Sequence, residues 1–452
     1  MKKLFLIIGI GIISNSFFAQ TKDSTVLSFS IQQAIDYAMK NQYNVQNAII
    51  DQELAAQKVK EITGLGLPQI NASADFKDFL NIPTSLIPAA AFGGPPGVFT
   101  AAKFGTQYQT VVGFDASQLL FSGDYIVGLQ ASKTYAELSL KNMQRTKVET
   151  AVAVSKAYYT ALINEQRTKL LDANIERVKT AMGGAQGMYA YGFVEKLDLD
   201  RLTVTYNNLA IEKEKIQRLL ILSTYLLKYQ MGMDVNANLV LTDKLEDIKL
   251  DVANNVSAEK FDYSKRVEYG LFETQKKLNQ LDLRKSKFAF LPTAVLYGNL
   301  SGYGYSTGFN KDQDYFINHR LYPATFVGAK ISMPIFTGFQ RNSRTQQAKL
   351  SVQKADNNLE SLKKSIDLEL ASSTTMLQNA SVSLENQKKN IALAEEVYRV
   401  TKYKYDQGVG TNLEVVTAES ALKEAQVNYY NALFDAIVAK IDFDKANGNL
   451  KY

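Results

Sequence analysis

The stretch from Val112 to Gly123 reads VGFDASQLLFSG, and the stretch from Val327 to Gly338 reads VGAKISMPIFTG; they match at a constant offset of 215 residues. Further on, Gly192, Leu197 and Gly232 match Gly408, Leu413 and Gly448 at an offset of 216, and upstream Leu67-Pro68 matches Leu291-Pro292 at 224. Matches in the same order, at nearly constant spacing, mark a tandem duplication whose copies differ in one loop length. The punctuation divides the chain into a first copy, 20–232, a connecting segment, 233–261, a second copy, 262–448, and a tail, 449–452.

Working outward from the two strings, alternation identifies strands. Val112, Phe114 and Ala116 fall on one side and Gly113, Asp115 and Ser117 on the other, which is the period of a half-buried strand. Val327, Ala329 and Ile331 against Gly328, Lys330 and Ser332 repeat the pattern. After Pro68, Ile70, Ala72, Ala74 and Phe76 alternate with Asn71, Ser73 and Asp75, and after Pro292 the residues Ala294, Leu296 and Leu300 supply the corresponding strand. Each copy therefore contributes two strands. Between those of copy one, Ile82 to Gly105 contains Gly93-Gly94-Pro95-Pro96-Gly97, and this composition predicts a long exposed loop without regular structure. The corresponding loop, Tyr303 to Tyr322, holds the only histidine, His319, to which no role is assigned.

The remaining segments read as helices. Ile31 to Thr63 and Asp262 to Phe288 precede the strands of each copy. From Gly123 to Tyr191, and from Gly338 to Gln407, no proline intervenes; at about 1.5 Å per residue such helices run on the order of 100 Å. Leu377, Leu384, Ile391, Tyr398 and Tyr405 recur at steps of seven, the spacing of coiled-coil packing. The helical pattern restarts at once after Gly192 and Gly408, so each glycine marks a tight turn between antiparallel helices. Asp198 and Glu414 sit near the N-termini of the returning helices, where a carboxylate suits the helix dipole.

Lys2 and Lys3, the apolar run Leu4 to Ile13 and a small-residue end at Ala19 have the layout of a secretory signal, predicted to be cleaved after Ala19. The run is far shorter than the roughly 20 residues of a spanning helix. No later segment supplies one, since Leu219 to Leu227 is interrupted by Ser223 and Thr224. Any membrane crossing must be made by β-strands. Cysteine is absent, which excludes disulfides, a thiol nucleophile and a lipidated cysteine. The net charge of +6 is spread along the chain and gives no case for nucleic-acid binding. No Ser-His pairing, phosphate-binding glycine loop or acid-base carboxylate pair points to catalysis, and no cofactor is implied.

Four strands are too few to close a barrel, so several chains must share one. Three chains would give twelve strands, with Asp115, Lys330, Ser117 and Ser332 lining a lumen and Phe114, Ala116, Ala329 and Ile331 meeting lipid or neighbouring strands. The signal peptide, the two Leu-Pro strand starts, the F-S-G and F-T-G strand ends and the turn YDQGVGTNLEVV, Tyr405 to Val416, together resemble the TolC-like outer membrane efflux proteins. That resemblance spans the mature chain. It implies a mixed α/β homotrimer in the outer membrane: four strands per chain in a shared 12-stranded barrel, continuous with a long helical coiled-coil barrel in the periplasm. A periplasmic adaptor would dock on the helix turns, at Gly192, Phe193, Val194 and Leu197 and at Gly408, Val409, Gly410, Thr411 and Leu413, and connect the duct to an inner-membrane pump. Tyr405 falls on a tyrosine of the family's periplasmic gate, Glu414 on an acidic position, and Asp198 is its repeat partner. Gly410 stands where some members carry an arginine, and Asn41-Gln42-Tyr43-Asn44 replaces the family's usual Asn-Pro. A duct for type I protein secretion and a trimeric coiled-coil envelope spacer are the alternative readings.

Overall fold

The strands flanked by the two Leu-Pro dipeptides and the two quoted strings come together in one sheet of the computed structural model, which describes residues 27–245, 261–307 and 321–450. The expected signal peptide and His319 lie outside these residues. The elements are β1 (Leu27–Phe29), α1 (Ile31–Asn41), α2 (Tyr43–Gly64), β2 (Gln69–Asp78), β3 (Thr84–Pro88), β4 (Phe99–Lys103), β5 (Tyr108–Phe121), α3 (Gly123–Ala190), α4 (Lys196–Met231), β6 (Leu239–Leu241), α5 (Val267–Phe288), β7 (Thr293–Ser306), β8 (Tyr322–Ser332), α6 (Gln340–Asp406) and α7 (Asn412–Ala446). Two compact units result, each drawing on both copies: Met1–Asn41, Ala153–Lys249 and Ile391–Tyr430 form one, and Gln42–Val152, Leu250–Asn390 and Asn431–Tyr452 the other.

The second of these units holds an antiparallel sheet in the order β2-β5-β7-β8. Its register sorts most of the side chains by polarity. Asn71, Asp115, Asn299 and Phe326 are paired across the four strands, and the next row is Ala72, Phe114, Leu300 and Thr325. Because neighbours along a strand point to opposite faces, one face collects Ile70, Ala72, Phe76, Val112, Phe114, Ala116, Leu300, Val327 and Ile331. The other collects Asn71, Ser73, Asp75, Asp115, Ser117, Asn299, Ser301 and Lys330, with the rings of Tyr297 and Phe326 edge to face among them. The apolar face is exposed, with Ile70, Phe114, Leu300, Val327 and Ile331 all open in the protomer. The outer strands β2 and β8 have one neighbour each, so the sheet is open at both edges.

Three expectations are corrected. The region predicted to be an irregular loop is a hairpin: β3 pairs with β4 from Thr84↔Lys103 to Pro88↔Phe99. The glycines and prolines turn the hairpin instead of dissolving it, with a 3-10 turn at Ala89–Phe92 and the Ala89 N–H donating to the Val98 carbonyl at 2.8 Å. The helix expected from Ile31 to Thr63 is two helices. Gln42 between them is extended, at φ −70° and ψ 125°, and its side-chain oxygen accepts from the backbone N–H groups of Asn44 and Val45 at the start of α2. A side-chain cap thus starts the helix without proline or glycine. In copy two, α5 begins at Val267, five residues later than expected, after a 3-10 turn at Tyr263–Lys265 whose start is capped by Asp262.

In the other unit, β1 and β6 pair in parallel from Leu27↔Leu239 to Phe29↔Leu241, a contact with no signal in the repeat pattern. The helices pack by heptads. Leu171 and Val178 of α3 form one buried cluster with Leu209 and Ile216 of α4. The buried positions extend this spacing in both directions, to Asn164 and Ala185 on α3 and to Leu202 and Ser223 on α4. Burial at every seventh residue is knobs-into-holes packing of an antiparallel pair. Gly183, Gly184 and Gly187 lie inside α3.

Candidate functional site

Both predicted turns have the same backbone construction. The Gly192 N–H donates to the Tyr189 carbonyl and the Phe193 N–H to Met188, at 3.0 and 2.9 Å; Gly408 donates to Tyr405 and Val409 to Lys404, at 2.9 and 3.0 Å. This paired bonding is the Schellman motif, which requires a left-handed residue after the helix. Gly192 and Gly408 supply it at φ 77° and 74°. The turns then present apolar side chains to solvent: Phe193, Leu197, Val409 and Leu413 are all more than half exposed, in equivalent repeat positions, while Val194 is half-buried. Gly410 has a different reason to be glycine. A Cβ there would meet the backbone of Lys404 and Tyr405 at 3.0–3.2 Å, so a larger residue requires the turn to give by a few tenths of an ångström.

Thr411 caps α7, its Oγ1 accepting from the Glu414 N–H at 3.3 Å, and Glu414 itself is exposed. Asp198 is partly buried and engaged. Asn412, only 6% exposed, donates its Nδ2 to both the Asp198 carbonyl and Asp198 Oδ1 at 3.1 Å. Arg201 lies 3.6 Å from the same carboxylate. Tyr405 is half-buried; burial, and then the charges of Asp198 and Asp406, push its phenol above the ordinary value. The structure thus ties Asp198 to Asn412, which the sequence reading missed, brings its charge near enough to act on Tyr405, and leaves Glu414 at the surface.

Asn412 begins a polar stripe along α7. Seven residues on is Glu419, and seven further Gln426, all three buried at positions where a heptad ordinarily carries apolar residues. Their partners come from other helices. Gln426 Oε1 accepts from Asn174 Nδ2 of α3 at 2.9 Å. Glu419 lies 3.6 Å from Arg177 of α3, whose guanidinium also bonds Asn174 and stands over the Tyr398 ring of α6 at 5.6 Å. Satisfaction is incomplete: among the described residues neither Glu419 Oε2 nor Arg177 Nε meets a hydrogen-bonding partner. A cavity of about 600 Å³ borders the stripe, lined among others by Arg177, Leu202, Tyr398, Tyr405, Asn412 and Val415. This seam is polar and underpacked, unlike the α3–α4 heptads.

Burial raises the Glu419 carboxyl above its ordinary value of 4.5, outweighing the opposing pull of Arg177 and of the Tyr398 hydroxyl. Burial likewise pushes the Tyr398 phenol up to about 12, with the Glu419 charge acting in the same direction. The folded state therefore holds the Glu419 proton more tightly than the unfolded chain. Its stabilisation is complete below about pH 4.5 and is lost as pH rises through the raised value. Hydrogen-exchange protection of α7 around Glu419 is expected to fall across that window, and Glu419→Gln should flatten the dependence while keeping protection at the acid-side level. An unchanged slope in the variant would remove Glu419 from the explanation.

Asp115 and Lys330 share the polar face of the sheet, on different rows, and Asp115 Oδ1 accepts from Asn299 Nδ2 at 2.8 Å. Among the described residues no group of His, Asp and Glu side chains could hold a metal ion.

The sequence pattern of the outer membrane efflux protein family matches residues 290–449, which cover the second copy from its strand start to its last turn. The outer membrane protein TolC of Vibrio cholerae is 20% identical over 343 residues, covering 75% of this chain and 76% of that protein. The family match is thus confined to the second copy, while the likeness to TolC runs over three quarters of the chain. The antibiotic efflux pump outer membrane protein ArpC of Pseudomonas putida is 20% identical over 355 residues, or 76% of this chain and 69% of ArpC. The fold agrees: the Campylobacter jejuni CmeC outer membrane channel superposes with a TM-score of 0.71 at 17% identity, over 93% of this chain and 85% of CmeC. These sequence relatives place the chain in the outer membrane.

Proposed function

We propose that three copies of this chain form the outer-membrane duct of a tripartite efflux system. The sheet carries the proposal: it has one apolar face, one polar face and two open edges, an arrangement that is satisfied when β8 of one copy pairs with β2 of the next. Ile335 and Phe336, just past β8, are 97% and 76% exposed and await such a neighbour. On this reading Asp115 and Lys330 line the lumen, and Phe114, Ala116, Ala329 and Ile331 face lipid. The exposed apolar residues of the two turns are the surface on which a periplasmic adaptor docks, and through it an inner-membrane pump delivers substrate. The relation to ArpC, an antibiotic efflux pump component by name, favours efflux over protein secretion. Asp198, Asn412 and Tyr405, beside the polar stripe, form the gate, while Glu414 supplies surface charge at the entrance.

The turns provide the test. Each turn glycine has positive φ and no atom within 4 Å of where a Cβ would stand, so a side chain costs backbone strain alone, roughly 1–2 kcal/mol. Replacing Gly192 and Gly408 together by valine is expected to make cells as drug-sensitive as a deletion strain while leaving trimers in the outer membrane. Loss of the trimer would reduce the turns to a folding role. Unchanged susceptibility, with a secretome altered only by deletion of the whole chain, would instead favour the protein-secretion duct.

A further inference from the structure

The β3–β4 hairpin is the least expected part of the chain chemically. No charged residue occurs between Asp78 and Lys103, whereas the equivalent loop of copy two contains Lys311, Asp312, Asp314 and Arg320. The hairpin is ordered by its own ladder and by a closed tip, in which the Gly94 N–H donates to the Ala89 carbonyl at 2.9 Å and Ala89 is buried. That order holds large apolar side chains outward: Leu86, Phe92 and Phe99 are 70%, 74% and 61% exposed. An ordered, exposed apolar patch of this kind marks a contact surface.

Its position identifies the occupant. The hairpin leaves the sheet where the β2–β5 ladder ends, at Asp78↔Tyr108, the end away from the connections to α2 and α3. There Phe76 and Tyr108 stack at 6.0 Å. Both belong to the apolar face by register, two residues and six residues along from Ala74 and Phe114 respectively. Aromatic residues at the end of a lipid-facing strand form the girdle that meets the membrane interface. The apolar face of the sheet thus runs up to the base of the hairpin, which Asp78 and Lys103 flank, and Lys103 suits anionic headgroups.

We propose that the β3–β4 hairpin is a membrane anchor, with Leu86, Phe92 and Phe99 inserted at the boundary of headgroups and acyl chains in the outer leaflet. The inference rests on the membrane placement of the sheet. Three such hairpins per trimer would pin the duct against tilting or vertical displacement when the pump pulls on it.

The chain contains no tryptophan, so Phe92→Trp and Phe99→Trp each introduce a unique fluorophore. Each variant is reconstituted as the full-length trimer into phosphatidylcholine vesicles with or without brominated acyl chains, with Phe114→Trp as the reference for a strand position facing lipid. The hairpin tryptophans are expected to lose most of their emission to brominated lipid, as the reference does, and to resist aqueous iodide. Quenching by iodide and not by brominated lipid would place the hairpin in water and overturn the proposal. Resistance to both would show the hairpins covering one another, which overturns it equally. Insensitivity of Phe114→Trp itself to brominated lipid would overturn the membrane face of the sheet together with the anchor.

Discussion

Replacing Phe114 by arginine is expected to abolish the outer-membrane trimer, whereas Asp115→Arg, one residue away, should leave it intact. The difference is a matter of face. Phe114 sits mid-strand in β5 between Ala72 of β2 and Leu300 of β7, and more than half of its surface is open in the protomer. A cation on the lipid face near mid-depth costs about 2–4 kcal/mol, and a three-fold assembly incurs that cost three times. Asp115 shares its row with Asn71 and Asn299 on the polar face, where a charge remains hydrated. Asp115→Arg should therefore form trimers and shift single-channel selectivity toward anions. Heat-resistant trimer on gels of the membrane fraction reads the first result, and reversal potentials in planar bilayers the second. Wild-type amounts of Phe114→Arg trimer would show that this face is not turned to lipid.

The elements most legible in the sequence were those with a short period. Alternation placed the four sheet strands and assigned Asp115 and Lys330 to one face, because a strand's geometry ties each residue to a side regardless of its partners. The two turns were legible because a Schellman cap needs a left-handed residue, and glycine announces it. What escaped were features made by particular side chains. Gln42 stops α1 and starts α2 with neither proline nor glycine, through one amide oxygen. The Gly-Gly-Pro-Pro-Gly run spoke against regular structure locally, yet it turns two short strands back on each other.

The polar stripe on α7 was hidden for a further reason. Asn412, Glu419 and Gln426 recur every seven residues, but on a helix of mixed composition such a line reads as a solvated face. Their partners are remote: Asp198 lies 214 residues from Asn412, and Asn174 lies 252 from Gln426. Only assembled helices show that the line is buried. Buried polar residues at heptad positions commonly fix register at a cost in stability. Here the Glu419 and Arg177 atoms without a partner and the adjoining cavity leave the seam loosely packed, and on the proposed reading it is where the helices part.

That weakness sets the expectation for the gate. Asn412→Ala removes two hydrogen bonds to Asp198 and leaves its carboxylate to water and Arg201. A hydrogen bond to a charged group contributes about 1.5–3 kcal/mol, and each 1.4 kcal/mol is about tenfold in a population ratio. The open fraction of single channels should rise on the order of tenfold, more if the three protomers open together. Asn412→Asp separates the electrostatic cause from simple loss of contact. Two carboxylates would then share a partly buried site, which raises the pKa of one of them and favours separation while both are charged. Asn412→Asp channels should be more open than Asn412→Ala channels at pH 7–8 and close again as acidification returns one proton to the pair, restoring a donor toward Asp198. Asn412→Ala should show no such reversal. If both variants keep the wild-type distribution of conductance at every pH, the bond between the two turns has no part in gating.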